Sequence, residues 1–303
     1  MLRNYIKIAF RNLVINKVYS LINICGLAIG MAVALLIGIW LADEMQFDHY
    51  HPHLDQLAQI KTTQTFNGHT GTNPAVAIPL AGELRTVYGR DFKHICMASW
   101  NFSHVVAQGD KKVTQSGMWV QPDFPDMFGF RMMEGTSISL KNPDVILISQ
   151  HLAKALFGDQ PSLGKTIRLD NKMDFSVGGV YEDLPHNTSF QDIRYMLNWD
   201  KYMTTESWLN DARSEWGNHS FQLYTEIKEG LNMNEVTAKI KDIPKAHVPE
   251  GKEEIILHAM NDWRLHNNFT NGKLDGGLIE TVWLFGMIGV FVLLLAHGLW
   301  EYL

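Results

Sequence analysis

Two apolar runs, residues 21–42 and 282–296, stand on either side of a long and mostly polar stretch. A helix needs roughly 20 consecutive apolar residues to cross the ~30 Å hydrocarbon core of a bilayer. The first run meets this length, and Asn23 is its only side chain with strong hydrogen-bonding capacity. The run therefore predicts a transmembrane helix over residues 18–42, followed by a folded domain outside the membrane.

A cleavable signal peptide is the alternative for the first run. The apolar stretch is longer than the roughly 7 to 15 residues of a usual signal-peptide core. Trp40 also stands where cleavage would require a small residue. We therefore interpret the run as a permanent anchor.

The charges on the two sides of the first run predict its orientation. Asp43, Glu44 and Asp48 follow the run, whereas only cations precede it. An excess of Lys and Arg marks the cytoplasmic side of a span. The N-terminus is therefore expected in the cytoplasm and the main domain on the opposite side. The cations of this arm are Arg3, Lys7, Arg11 and Lys17.

The arm itself, residues 1–17, has apolar residues at helical spacing and its cations on another face. This pattern is typical of an amphipathic helix that lies in the cytoplasmic interface and contacts membrane lipids. A simple charged flank to the span is the alternative that the sequence leaves open. The net charge of −6 leaves −10 for the remainder once the four cations of the arm are set apart. Such an acidic remainder argues against nucleic acid as a partner, because phosphate binding needs a basic face.

Small residues recur at intervals of four along the first span. Gly26, Gly30, Ala34 and Gly38 fall on one stripe of the helix. Small residues at this spacing let a second helix approach closely, and such packing drives association within lipid. The stripe predicts a face for a helix partner.

The region between the runs predicts a mixed α and β domain over residues 43–278. An inserted block at about 136–219 interrupts two α/β units at about 43–135 and 220–278. Cys25 lies in the span and Cys96 outside it, so the two cannot form a disulfide framework. Strands are predicted at 57–66, 92–106, 112–120, 145–149, 166–169, 175–181, 221–227 and 254–258, and helices at 77–88, 150–157 and 234–243.

Residues 158–166 read GDQPSLGKT and resemble a phosphate-binding loop only in part. Such a loop has four residues between its glycines and opens a helix, so that backbone amides surround the phosphates. Here five residues separate Gly158 from Gly164, and a strand-like stretch follows Lys165. A turn between a helix and a strand is the better interpretation.

His49, His51 and His53 follow the span directly and could share a metal ion if the segment were extended. A closed zinc site needs four ligands and a catalytic one needs three, so a solvated turn is the preferred interpretation. The acidic pair Glu182 and Asp183 is likewise interpreted as part of a solvated turn rather than as a general acid and base. We predict no metal, no cofactor and no enzymatic activity.

Several segments resemble the permease subunits of the MacB/FtsX family of ABC transporters. Together they extend over nearly the whole chain. The segments are LRNYIKIAFRNL in the arm, NICGLAIGMA in the span, DEMQFDHYH after it, SQHLAKALFGD, PSLGKTIRL, and ETVWLFGMIGVFVLLLA at the second run.

The resemblance implies an α+β extracytoplasmic domain, porter-like and interrupted by an inserted second α+β subdomain, between two transmembrane helices. It also implies a mechanical transmitter, in which a cytoplasmic ABC ATPase opens and closes and the helices relay that motion to the domain for export. The implied partners are the ATPase and a second permease copy or homologue, and the implied location is the bacterial inner membrane with a periplasmic domain. In this interpretation Gly158, Pro161, Gly164 and Lys165 belong to a structural loop.

The end of the sequence departs from that family. Family members continue beyond the second span into a basic coupling segment and further spans, whereas this chain stops at Leu303 and its tail from His297 has no Lys or Arg. Residues 282–296 also fall short of the roughly 20 that a span needs, so the expected second helix, 279–303, reads as truncated. The alternative function is a membrane-anchored extracytoplasmic binding or sensory domain without its own ATPase coupling.

Overall fold

The computed structural model describes residues 11, 14, 15, 17–66, 68–249 and 252–301. Two compact units are present, and each is described by itself. One is helical and lies within Met1–Gln46 and Gly276–Leu303, and the other is an α+β unit, Phe47–Asp275. The predicted class, an α+β domain with apolar helices on both sides, is confirmed.

The described elements are numbered in chain order. The α-helices are α1 Lys17–Met45, α2 Ile78–Val87, α3 Phe124–Met127, α4 Gln150–Phe157, α5 Trp199–Tyr202, α6 Ser207–Ala212, α7 Met233–Ile240, α8 Ile243–His247 and α9 Leu278–Glu301. The strands are β1 Leu57–Phe66, β2 His69–Asn73, β3 Phe92–Ala98, β4 Phe102–Gln108, β5 Lys111–Val120, β6 Met132–Gly135, β7 Val145–Ser149, β8 Thr166–Leu169, β9 Met173–Tyr181, β10 Tyr195–Asn198, β11 Gln222–Ile227, β12 Glu254–Ala259, β13 Phe269–Thr270 and β14 Lys273–Leu274. Short 3-10 helices are present at Leu54–Gln56, Ser137–Lys141 and Met260–Asp262.

In the helical unit, α1 and α9 are both long and apolar enough to cross a membrane. They pack along each other through small residues. A Cβ atom added at Gly30 would lie 3.6 Å from side-chain carbons of Ala296 and Val292, and one added at Gly289 would lie 3.3 Å from Ile37. Such close approach is the usual means by which membrane helices gain packing contacts.

Six strands of the α+β unit close into a ring in the order β4, β5, β10, β7, β9, β8. Closure depends on β10, which pairs antiparallel with β7 and parallel with β5. Gly117 of β5 makes room for this contact, since an added Cβ would lie 2.4 Å from the ring of Tyr195. A cluster of buried side chains from these strands and from α4 forms the core of the barrel.

The remaining strands continue from β5 as an open sheet in the order β3, β11, β1, β12, with β2 paired to β1. Ala58 and Ile60 are two residues apart on β1, so both side chains point to the same face of the sheet. They pack in a core that includes residues of α2 and α7. A second cluster that includes Leu57, Phe124 and Phe128 packs apart from the first. The barrel is built from strands in residues 102–120 and in residues 145–198. The predicted boundaries of an inserted block, at about 136 and 219, stay a prediction.

Most of the predicted elements are confirmed. The strand at 145–149 and the helix at 150–157 have the predicted bounds, and the Ser149 hydroxyl caps the helix by accepting the N–H of Leu152 at 3.2 Å. One prediction is wrong: residues 92–106 form two strands, β3 and β4. They separate after Ala98, where the Ser99 hydroxyl accepts the N–H of Trp119 and donates to the carbonyl of Trp100, which turns the chain.

Candidate functional site

The segment that directly follows α1 is fixed in the α+β unit by hydrogen bonds around the buried side chains of Asp48 and His51. We call the four residues that make these contacts, Asp48, His51, Thr188 and Ser189, the juxtamembrane clamp. Asp48 and Thr188 are fully buried and His51 is nearly so. Asp48 also has a positive φ of 65°, a conformation that Asp tolerates better than most residues. The clamp places a carboxylate inside the domain three residues after the last residue of α1, Met45.

Three donors satisfy the Asp48 carboxylate. Its Oδ1 accepts the backbone N–H of Ser189 at 2.6 Å and the hydroxyl of Thr188 at 3.0 Å, and its Oδ2 accepts the hydroxyl of Ser189 at 2.7 Å. The Asp48 N–H in turn donates to the carbonyl of Asn187 at 2.8 Å. A buried carboxylate is tolerated only when donors replace the water that it loses, and the loop at 187–189 supplies them.

His51 extends the clamp to a third part of the chain. Its Nδ1 lies 2.7 Å from the carbonyl oxygen of Phe128, and its Nε2 lies 2.6 Å from the hydroxyl of Thr188. A carbonyl only accepts, so Nδ1 carries the hydrogen. Burial lowers the pKa of His51, while the Phe128 carbonyl and the Asp48 carboxylate act in the opposite direction. Both ring nitrogens thus lie within hydrogen-bond distance of protein atoms, and the single hydroxyl hydrogen of Thr188 is shared between Nε2 and the Asp48 carboxylate.

Aromatic rings surround the clamp. The ring of His51 meets those of Phe128 and Phe190 edge to face, with centroids 5.6 Å apart in both pairs. Tyr224 packs on the same two phenylalanines at 5.5 and 5.8 Å, and burial raises the pKa of its phenol. Trp263 completes the group. This apolar surrounding strengthens the clamp's hydrogen bonds, because it keeps competing water away.

The predicted solvated turn at 49–53 is therefore wrong for His51. His49 and His53 are exposed while His51 is buried, so the three imidazoles do not converge. Within the part of the chain that the structure describes, no group of three His, Cys, Asp or Glu side chains could hold a metal ion. Sequence reasoning missed Thr188 and Ser189, since no local pattern marks these loop residues as partners of a segment 140 residues earlier.

The loop that resembles a phosphate-binding motif is a turn, as predicted. It runs from the end of α4 to the start of β8, with Gly158 and Gly164 at φ values of 66° and 73°. Lys165 Nζ donates to the Gln160 side chain at 3.1 Å and lies 5.1 Å from the centroid of the Phe157 ring. The lysine is thus engaged locally.

The comparisons with known proteins cover the first span and most of the α+β unit. Residues 20–243 match the family described as the MacB-like periplasmic core domain. The chain belongs to this family. Its fold, two apolar helices and a mixed α+β domain, is that of a membrane-anchored MacB-like permease of the ABC transporter class with an extracytoplasmic domain. The resemblance found in the sequence is confirmed.

Solved structures similar to this MacB-like chain are also permease or transporter domains. A domain of a permease protein from Porphyromonas gingivalis has a TM-score of 0.58 and 24% identity, covering 73% of this chain and 97% of that one. The periplasmic region of MacB from Actinobacillus actinomycetemcomitans has a TM-score of 0.49 and 16% identity, covering 67% and 88%. The extracellular domain of the ABC-type transporter YknZ from Gram-positive bacteria has a TM-score of 0.48 and 12% identity, covering 66% and 98%. No curated protein gives a match.

The small-residue stripe of this MacB-like chain divides between two environments. Gly30 packs against α9, and Ala34 is buried. Among the described residues, no atom lies within 4 Å of a Cβ added at Gly26 or Gly38, so neither glycine shows a contact with the described part of α9. Their use by another helix stays a prediction.

The basic arm is described only in part. Arg11 and Lys17 are helical and exposed. Arg3 and Lys7 lie outside the described residues. The amphipathic arm and its contact with lipid therefore stay predictions.

Proposed function

We propose that this chain is a permease subunit that passes motion from a cytoplasmic ABC ATPase to its extracytoplasmic domain for export. The observation that carries the proposal is the juxtamembrane clamp. A flexible linker between helix and domain would absorb a displacement of the helix. A buried and fully hydrogen-bonded Asp48 resists this, since freeing it would leave buried polar groups without partners, at a cost of about 1–3 kcal/mol for each group.

The clamp also distributes a displacement over the domain. Asp48 is bonded to Thr188, and His51 to Phe128, across 140 and 77 residues of sequence. A movement of the segment after α1 would therefore carry with it both the end of α3 and the loop that precedes β10. This coupling of distant parts suits a transmitter better than a domain that is merely tethered.

The proposal includes two partners. In this proposal the hydrolysis of ATP belongs to a separate ATPase, and the buried His51 has a structural role, because both of its ring nitrogens are engaged in the clamp. A second permease copy would pack on the face of α1 that contains Gly26 and Gly38. The arm with Arg11 and Lys17 would lie on the cytoplasmic side, because Lys and Arg mark that side.

A labelling experiment tests the orientation. The two native thiols, Cys25 and Cys96, are first replaced by serine and alanine, and a single cysteine is then placed at the exposed His49. A membrane-impermeant maleimide added outside intact inner-membrane spheroplasts should label this cysteine. Labelling only after the membrane is broken would reverse the proposed orientation.

A coupling experiment tests the transmission. The full chain is reconstituted in lipid nanodiscs with a candidate partner ABC ATPase, and a fluorophore is attached at the exposed Asn101. ATP should change the fluorescence of the wild type, and Asp48→Asn should reduce that change at an unaltered ATPase rate. The matched control is Asp174→Asn, which alters only an exposed ion pair.

The outcomes separate the two candidate functions. An ATP-dependent signal of the same size in Asp48→Asn would overturn transmission through the clamp. If the chain captures no ATPase and its domain does not respond to ATP, the alternative, an anchored binding or sensory domain, is favoured.

A further inference from the structure

A groove of about 730 Å³ opens on the α+β unit beside the β13–β14 hairpin. One wall is the tip of this hairpin, and the opposite wall is formed by Lys245, Pro249 and Lys252. The floor is the face of β1, β2 and β12 that lies opposite the α2 and α7 core. The described lining residues with charged or hydroxyl side chains are Lys245, Lys252, Lys273, Glu254, Thr63, Thr65 and Thr70.

Cations dominate the charged groups in the groove. Lys245 forms ion pairs with Glu254 and, at 2.7 Å, with Asp242, so the single lining carboxylate is already engaged. Lys252 and Lys273 are exposed, and neither has an ion pair with any described residue. The α+β unit as a whole has 22 Lys and Arg against 28 Asp and Glu. Lys252 and Lys273 therefore make the groove locally positive on a domain whose net charge is negative.

A further cation lies next to the groove. Lys61 of β1 is directly opposite Ile256, which lines the groove, and points to the same face as Thr63 two residues later. Its Nζ lies 4.6 Å from the centroid of the Phe269 ring, and the described residues offer it no carboxylate. Burial lowers the pKa of Lys61 to about 8. A half-buried ammonium without an anion is costly, and a bound anion would offset that cost.

The hairpin is fitted closely to the floor. Its turn residues, Asn271 and Gly272, both have positive φ, as a two-residue hairpin turn of the Asn-Gly type requires. A Cβ at Gly272 would lie 2.8 Å from the Cγ2 atom of Thr63, so only glycine allows the tip to rest on β1. The wall that contains Lys273 is thus held in place by a close backbone approach.

From this arrangement we propose that the groove binds the phosphate group of an anionic ligand. Lysine ammonium groups bind phosphate as point charges, and the threonine hydroxyls add donors on the floor. The volume suits a small phosphate ester or a phospholipid headgroup. Both sources share this chemistry. The headgroup is one of them because Lys273 precedes Leu278, the first residue of the second apolar helix, by five residues. The proposal is independent of ATPase coupling.

Calorimetric titration of the full chain in uncharged maltoside micelles tests the proposal. The probes are glycerol 3-phosphate and short-chain phosphatidylglycerol, with short-chain phosphatidylcholine as the zwitterionic comparison. The double variant Lys252→Glu/Lys273→Glu should weaken binding of the anionic probes at least about tenfold, which corresponds to ~1.4 kcal/mol. The matched control, Lys111→Glu/Lys112→Glu, makes the same charge change at exposed lysines at the β4–β5 turn and should bind as the wild type does.

The pH dependence gives a second readout. A phosphate monoester has its second pKa near about 6, so its charge is constant between pH 7 and 9. Affinity should fall over this range as Lys61 loses its proton, and Lys61→Met should remove the fall. Binding of phosphatidylglycerol alone would support the groove and identify the headgroup as the source. Absence of binding by both anionic probes, or equal binding by the double variant and its control, would overturn the proposal.

Discussion

Nδ1 of His51 lies 2.7 Å from the carbonyl oxygen of Phe128, 77 residues further along the chain. The other ring nitrogen contacts Thr188, so a single imidazole joins three distant parts of the sequence. His51 can make both contacts only after the distant segments around Phe128 and Thr188 have folded. Loss of the clamp should therefore lower the stability of the α+β unit as a whole.

Replacing Asp48 by alanine should destabilise the domain by about 2–4 kcal/mol. The substitution leaves the buried hydroxyl of Thr188 and the part-buried N–H and hydroxyl of Ser189 without their acceptor. Denaturant titration of the full chain in neutral detergent measures the loss. Asp174→Ala, which removes an exposed and solvent-screened ion pair with Arg168, should leave the free energy of unfolding almost unchanged. Equal losses in the two variants would contradict a buried clamp.

Acid should destabilise the domain through His258. Burial, with a contribution from the positive charge of Lys61, lowers the pKa of His258 to about 3. The folded state thus keeps this ring neutral while the unfolded chain, with a pKa near about 6.5, takes up a proton. The stabilisation is complete above pH 6.5 and is lost as the pH falls toward 3, at a rate of up to ~1.4 kcal/mol per pH unit.

The variant His258→Gln isolates this effect, because glutamine keeps a donor for the carbonyl of His266. Thermal midpoints measured from pH 7 to pH 4 should fall less steeply for the variant than for the wild type. The exposed His69→Gln serves as the control and should follow the wild-type slope. If the thermal midpoint of His258→Gln falls with pH as steeply as that of the wild type, a group other than His258 causes the acid sensitivity.

Enlarging the small residues between α1 and α9 should separate the helices. Gly289→Leu adds a side chain where a Cβ would already lie 3.3 Å from Ile37. We expect it to lower the midpoint of SDS-induced unfolding in mixed micelles. Gly38→Leu meets no atom of a described residue within 4 Å of its Cβ and should leave this midpoint unchanged. A loss of dimer in Gly38→Leu alone, seen by crosslinking, would support the predicted second-copy face.

The barrel depends on the absence of a side chain at Gly117. Gly117→Ala would force the Tyr195 ring away from β5, and overpacking of this kind costs about 1–3 kcal/mol. Gly71→Ala, on β2, meets open space and should change the free energy of unfolding by less than about 0.5 kcal/mol. Chemical denaturation of the two variants side by side gives the comparison. A neutral Gly117→Ala would mean that β10 can shift without cost.

The sequence predicted those parts of the fold whose cause is local. The apolar run at 145–149 and the amphipathic spacing after Ser149 specify β7 and α4 because burial follows the period of each element. The four buried residues of β10 lie in a loop-rich stretch without such a period, and their partners in β5 are distant in sequence. Tertiary pairing alone makes them a strand.

In the candidate site, too, the sequence indicated the features with a local cause and missed those that depend on tertiary structure. Asp48 and His51 stand in a segment, DEMQFDHYH, that the family resemblance marked, although nothing local indicated that the two side chains would be buried. Polar residues after a span are usually solvated. Their burial depends on Thr188 and Ser189, which sit in a loop whose position follows from the whole domain.

The ring of strands imposes an order on synthesis and export. Residue 195 of β10 must pair with residue 117 of β5, so the barrel cannot close until 78 further residues have emerged on the far side of the membrane. Until then one edge of β5 lacks its partner, and unpaired strand edges are prone to wrong associations. Newly translocated chains would therefore pass through an interval in which this edge of β5 is open to wrong pairing, and the interval ends only when residue 198 arrives.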